Sequence, residues 1–171
     1  MENLISKIFS QIQKDPEEYT AYDDLFSVCR NMEETDFKTA HEVNSKLRSL
    51  VSQAMKLPID VIQFFELYKK SLLFDAPHFF DSYLLYLEID RKPEERFYQP
   101  RRRVLKQVVD NLQKLVDDDL DELFISMPPR TGKTSLLKFL MSWLIGRKSE
   151  SSNLYSAYSD TITKAFYTGG D

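Results

Sequence analysis

Glycine is scarce in this chain. Its 171 residues include 4, and none precedes Gly132. Glycine is the default residue for left-handed turns, so the long stretch before Gly132 reads as a compact helical assembly with short polar turns. Cysteine is rarer still. A lone Cys29 excludes an intrachain disulfide and fits a reducing compartment. Its spacing from Tyr22, Leu25 and Phe26 puts it on a buried helix face. His41 and His78 stand apart, and no Cys/His ligand spacing occurs, which argues against a zinc site. No apolar run nears the length of a membrane span. The start, Met1-Glu-Asn, has neither the basic nor the apolar region of a signal peptide.

The net charge of -4 is too small to mark the whole chain as a nucleic-acid binder. Its distribution is uneven. Residues 1–90 carry 9 basic and 16 acidic residues, residues 91–106 carry 7 and 2, and residues 107–171 carry 7 and 9. The length suits one sizeable domain, or a small domain plus part of another.

Apolar residues recur at helical spacing through residues 1–90. Leu4, Ile5, Ile8, Phe9 and Ile12 form a first stripe. Asp15-Pro-Glu-Glu18 resembles a helix start, with proline at the first helical position. Tyr19, Tyr22, Leu25, Phe26 and Cys29 follow it as a second stripe. Phe37 to Ala54, Val61 to Leu72 and Phe79 to Leu87 predict three further helices. Arg91-Lys-Pro-Glu-Glu-Arg-Phe-Tyr-Gln99 reads as a connection. A helix then spans about Pro100 to Val116, with Val104, Leu105, Val108, Val109, Leu112 and Leu115 on its buried face. Asp117, Asp118 and Asp119 oppose the dipole at its C-terminal end, so they belong in a solvated turn.

The most informative stretch is Ile125-Ser-Met-Pro-Pro-Arg-Thr-Gly-Lys-Thr134. A short apolar run, Leu123-Phe124-Ile125, leads into it. A helical pattern through Leu136, Leu140 and Trp143 follows it. Strand, loop and helix form the context of a phosphate-binding P-loop. Backbone N–H groups and a helix N-terminus would cradle a nucleoside triphosphate. Gly132 lets backbone come close to phosphate. Lys133 would reach the β- and γ-phosphates, and the Thr134 hydroxyl would ligate Mg²⁺. Thr131, Gly132 and Ser135 would add N–H donors. Pro128 and Pro129 have no N–H, so the cradle must draw its donors from about Arg130 onward. The Arg130 guanidinium could offset the missing donors or stabilise charge on a transferring phosphate. Lys133 and Arg130 are thus the candidate catalytic residues.

Past the loop, Arg147 to Ser152 reads as a polar turn, Asn153 to Tyr158 as a second strand, and Thr161 to Phe166 as a further helix. The alternation predicts an α/β fold: a helical segment over residues 1–90, a connection over 91–99, and the start of a parallel P-loop sheet over 100–171.

Three stretches resemble the amino-terminal part of phage terminase large subunits, the ATP-driven motors that pack DNA into procapsids. The loop Ile125–Thr134 is similar to that family's variant phosphate loop, which commonly has Pro-Pro-Arg before Gly-Lys. Asn153 to Asp160 resembles the strand and turn that follow it. Arg96-Phe-Tyr-Gln-Pro100 resembles the family's adenine-binding motif. The resemblance covers roughly residues 95–171. It implies ATP and Mg²⁺ as cofactors, with Gln99 meeting the adenine edge and Tyr98 or Phe97 stacking on the base. A glutamine side chain offers the needed donor and acceptor. A simpler role for the two aromatics is to anchor the connection to the core. Double-stranded DNA, a terminase small subunit and a portal are the implied partners. A ring of the full-length protein and the cytoplasm of a bacterial host are also implied.

In that family an apolar strand ending in Asp-Glu follows the loop at a distance, and a nuclease domain follows that. Neither occurs in these residues, since Asp121-Glu122 precedes its apolar run. The expectation is a segment of a longer motor, truncated before that strand and inactive in hydrolysis by itself. The basic run Arg91 to Lys106 could grip DNA phosphates, or face the nucleotide, an adjacent subunit or solvent. Two other functions stay open. One is a different P-loop ATPase, helicase-like or recombinase-like. The other is a non-enzymatic assembly protein whose helices 1–90 meet a partner.

Overall fold

The computed structural model describes residues 2–147 and Leu154. Seven α-helices occur among them: α1 (Glu2–Lys14), α2 (Tyr19–Met32), α3 (Phe37–Ala54), α4 (Val61–Asp75), α5 (Phe80–Glu88), α6 (Arg102–Val116) and α7 (Lys133–Arg147). Short 3₁₀ turns at Pro93–Glu95 and Gln99–Arg101 lie between α5 and α6. The chain divides into two compact units, Met1–Ala76 and Pro77–Asp171. The sequence puts the connection at residues 91–99, whereas the units divide before α5.

In the first unit, α1 packs on α2, α2 on α3, and α3 on α4. The apolar stripes converge on a core that includes Leu25, Cys29, Leu47, Val51 and Leu67. Each such side chain contributes about 1.5–3 kcal/mol by leaving water. Tyr22 and Phe64 meet edge to face, with ring centroids 5.1 Å apart. Helix starts are fixed by acids at the cap. Asp36 accepts a hydrogen bond from Thr39 N at 3.2 Å, and Asp60 accepts one from Ile62 N at 3.1 Å. Asp15 acts differently from the expected helix cap. Its carboxylate accepts from Glu17 N at 3.2 Å, which closes a turn of its own, and α2 begins only at Tyr19.

One acid lies inside this helical unit. Asp75 is fully buried, ion-paired with Arg48, and 3.0 Å from His41 Nδ1. Cys29 is buried as expected. Burial first, then the Asp75 charge, push its thiol up to about 12, so it stays protonated and unreactive at neutral pH.

In the second unit α5 packs against α6 and α7. The core holds Phe80, Leu84, Tyr98, Leu105, Val109, Leu112, Leu136, Leu140 and Trp143. Phe80 and Trp143 lie 5.2 Å apart, and Arg147 stacks over the Trp143 ring at 4.5 Å. Gln113 ties α6 to the start of α5. Its oxygen accepts from Phe80 N at 2.8 Å, and its amide donates to His78 O at 3.0 Å. Val104, expected on the buried face of α6, is 70 % exposed. The stripe Leu105, Val109, Leu112 turns it outward. The three-acid run does form a turn. Asp118 takes the left-handed position after α6 (φ 62°), and Asp119 N donates to Lys114 O at 2.9 Å, as in a Schellman cap.

The expected parallel sheet is not found: no strand is formed among the described residues. Residues 122–127 form no regular element, but their exposure alternates as along a strand. Leu123, Ile125 and Met127 are half-buried against the core, while Phe124 is 91 % exposed. Among the described residues no backbone hydrogen bond joins this segment to another, so there the period of two is present without a ladder. These residues therefore form an all-helical structure, which replaces the α/β class read from the sequence. Of the expected second strand only Leu154 is described, and it is non-helical and exposed. The rest of that strand and the helix after it lie outside the described residues.

Candidate functional site

The loop between Met127 and α7 is shaped by two left-handed residues. Arg130 has φ 64° and Gly132 has φ 95°. The first is strained for a residue with a side chain, by roughly 1–2 kcal/mol. Thr131 Oγ1 donates to Pro128 O at 2.8 Å and fastens the turn. α7 then starts at Lys133, and Leu136 N makes the first helical hydrogen bond, to Gly132 O at 2.9 Å. The N–H groups of Gly132, Lys133, Thr134 and Ser135 have no hydrogen-bond partner among the described residues. They form the donor-rich, dipole-positive end of a helix. Arg130, Lys133 and Thr134 are exposed beside them, and Thr131 and Ser135 are half-buried. This donor set of amides, one ammonium, one guanidinium and one hydroxyl fits a polyphosphate with its magnesium. No cluster of three or more His, Cys, Asp or Glu able to hold a metal ion occurs among the described residues.

Gly132 has a second reason to lack a side chain. A Cβ there would lie 2.1 Å from Phe97 Cε2. The space expected to admit phosphate is, on that side, filled by an aromatic ring. Phe97 also packs on Phe139 at 5.8 Å and lies under the Arg101 guanidinium at 5.5 Å. The segment Arg96–Pro100 and the loop at Gly132, some thirty residues apart in sequence, therefore meet in space.

Within that segment the three named residues separate. Tyr98 is 0 % exposed and its hydroxyl donates to Asp81, so its ring has no free face for a base. It is the anchor that the simpler reading of the aromatics describes. Phe97 is half-buried. Gln99 is exposed; its Oε1 accepts from Arg96 Nη1 at 2.6 Å. Its amide nitrogen has no partner among the described residues, and its oxygen keeps a second lone pair.

Two acids that the sequence reading passed over hold this segment. Asp81 receives a fork from Arg102, with Nε at 3.0 Å and Nη2 at 2.8 Å, as well as the Tyr98 hydroxyl. Burial pushes the Asp81 carboxyl up, but the hydrogen bonds from Arg102 and Tyr98 outweigh it and hold it below its ordinary value. Burial and then Asp81 raise the Tyr98 phenol far above its usual range. The Arg102 guanidinium is raised too, chiefly by its hydrogen bond to Asp81. Glu88, at the end of α5, is 2 % exposed and accepts from Phe97 N, Tyr98 N and Gln99 N at 2.8, 2.7 and 3.0 Å. The signal for Glu88 was present: Phe80, Leu84 and Glu88 follow at four-residue spacing, so the acid falls on the apolar face.

The basic run is largely engaged within the unit. Arg96 also donates to Arg91 O at 2.9 Å and to Ile89 O at 3.3 Å. Arg101 donates to Phe97 O at 3.0 Å, Arg102 holds Asp81, and Lys106 pairs with Asp110. Arg91, Lys92 and Arg103 are exposed, with no side-chain bond among the described residues. No helix among the described residues is long and apolar enough to cross a membrane. No family model, no curated protein and no solved structure matches this chain.

Proposed function

We propose that the loop Pro128–Ser135 holds the phosphates of ATP, as the nucleotide-binding segment of a DNA-packaging motor of the terminase large-subunit kind. The observation that carries this reading is the contact of Phe97 with Gly132. It brings the segment similar to an adenine-binding motif against the loop similar to a phosphate loop. Two separate resemblances thus fall on one site.

In this reading the free amides of Gly132 to Ser135 receive phosphate oxygens, and the α7 dipole favours their charge. Lys133 meets the β- and γ-phosphates as a mobile cation. Arg130, held in a left-handed conformation, directs a permanent charge toward the same anion. The Thr134 hydroxyl holds Mg²⁺, which supplies charge neutralisation between the phosphates. Gln99 contacts the base, with Phe97 as the apolar wall between base and phosphate segments. Double-stranded DNA, a small subunit and a portal are the partners proposed through the resemblance. A second reading concerns the first unit. Ile62, Phe65 and Leu73 leave an apolar stripe on the outer side of α4, which suits a role in meeting a partner protein.

The test is a calorimetric titration of the chain with Mg·ATP. Lys133→Ala should weaken binding at least about tenfold, the effect of losing a charged hydrogen bond. Equal affinity in the two proteins would contradict the phosphate-loop role.

A further inference from the structure

We infer that Glu88 is the positioning residue of the base-contacting segment: its buried carboxylate sets where Gln99 and Phe97 stand. This rests on the nucleotide reading above and adds to it a residue outside both resembling stretches. Three consecutive amides converge on this one side chain. Oε1 takes the N–H groups of Phe97 and Tyr98, and Oε2 takes that of Gln99. Hydrogen bonds to a charged acceptor are shorter and stronger than neutral ones, and Glu88 is almost fully shielded from water.

The segment needs such a clamp. Between α5 and α6 the backbone forms a turn at residues 89–90 and two short 3₁₀ helices, and residues 96–98 lie outside all three. A loop without ladder or helix bonds must satisfy its amides elsewhere. Glu88 does so and fixes two side chains in one step. Holding Phe97 N keeps the ring on Gly132. Holding Gln99 N keeps an exposed carboxamide at the end of the segment, further fixed by Arg96. Tyr98, the middle residue, is locked from its other end by Asp81. The two carboxylates therefore grip the same segment, one through its backbone and one through its side chain.

The chemistry separates the two oxygens of Glu88. In Glu88→Gln one oxygen still accepts from Phe97 and Tyr98. The new NH₂ then faces the N–H of Gln99, two donors opposed. The variant releases Gln99 while Phe97 stays on Gly132. Base recognition should fall, and phosphate binding should persist.

Mg·ATP and inorganic tripolyphosphate with Mg²⁺ are each titrated against the full chain and against Glu88→Gln, with circular dichroism to check folding. The expected result is an ATP affinity reduced about tenfold, with tripolyphosphate affinity changed less than about twofold. A parallel fall for both ligands would make Glu88 merely structural and overturn the inference. So would unchanged ATP affinity. If Glu88→Gln does not fold, Glu88→Asp keeps the charge and withdraws it by one methylene; the same selective loss, smaller in size, is expected. Failure of the native chain to bind either ligand removes the nucleotide reading itself, and this inference with it. Binding of both, with no selective loss in the variants, removes only the inference.

Discussion

Both units bury carboxylates, but they use them differently. In the first, Asp75 meets side chains, Arg48 and His41 of α3. These pairs fasten helix to helix, α3 to the end of α4. In the second, Glu88 meets the backbone of residues 97–99, and Asp81 meets the side chains of Tyr98 within that segment and Arg102 at the start of α6. Here buried Glu88 and half-buried Asp81 hold a stretch outside the α-helices in a defined shape beside Gly132. A buried acid that only fastens helices is a stability device. A buried acid that accepts from three consecutive backbone N–H groups instead fixes the path of a loop.

The largest effect should come from breaking the first arrangement. Arg48→Ala leaves Asp75 buried beside His41 without its guanidinium, and removal of one partner of a buried pair costs about 3–5 kcal/mol. Denaturant unfolding should show that loss in residues 1–76. Wild-type stability in the variant would make the pair incidental.

Next in size is Gly132→Ala. Its Cβ would overlap Phe97, and the φ of 95° disfavours any side chain. Overpacking and left-handed strain together cost about 2–4 kcal/mol. The loss should fall on the second unit, with ligand binding reduced as Phe97 is displaced. Phe97→Ala in the same chain should recover part of it, because the clash would be gone.

The smallest effect is a pH dependence. The Asp81 carboxyl is held below its ordinary value in the fold. Its contribution is therefore present above the unfolded pKa of about 3.9 and lost as pH falls through the lower folded value. Asp36, lowered by its hydrogen bonds with Thr39, gives a slope of the same sign in the first unit. Melting curves should be flat in this respect near neutrality and fall below about pH 4. Asp81→Asn should lower stability at neutral pH by about 2 kcal/mol and flatten the acid limb of the second unit alone. An unchanged acid limb would remove Asp81 from the account.

Helices α1 to α4 were legible because their apolar stripes follow the 3.6 period and no glycine interrupts them. The helix after Gly132 was legible because Leu136, Leu140 and Trp143 recur at helical spacing, and all three are buried. The sheet was misread for a definite reason. Leu123 to Met127 carries the alternation of an extended segment, and alternation reports one buried face, not a paired edge. Pairing is a long-range property that no short run of residues encodes. Pro16 in Asp15–Glu18 suits either a helix start or a turn; the Asp15 bond to Glu17 N decided for the turn. Tyr98 was offered as a base-stacking residue through the resemblance of Arg96–Pro100 to an adenine-binding motif, whereas its ring is buried in the core. Glu88 was passed over because acids on apolar faces are rarely buried. Read with Phe80 and Leu84, its place on the buried face of α5 was legible.

The central claim is that the amides at the start of α7 and the segment at Gln99 serve one ligand. The most direct measurement is the Mg·ATP titration followed residue by residue through backbone amide resonances. The account predicts shifts at Gly132, Lys133, Thr134 and Ser135 together with Gln99, all lost in Lys133→Ala, and none in residues 1–76. Shifts centred in the first unit, or shifts at the loop without any at Gln99, would contradict it.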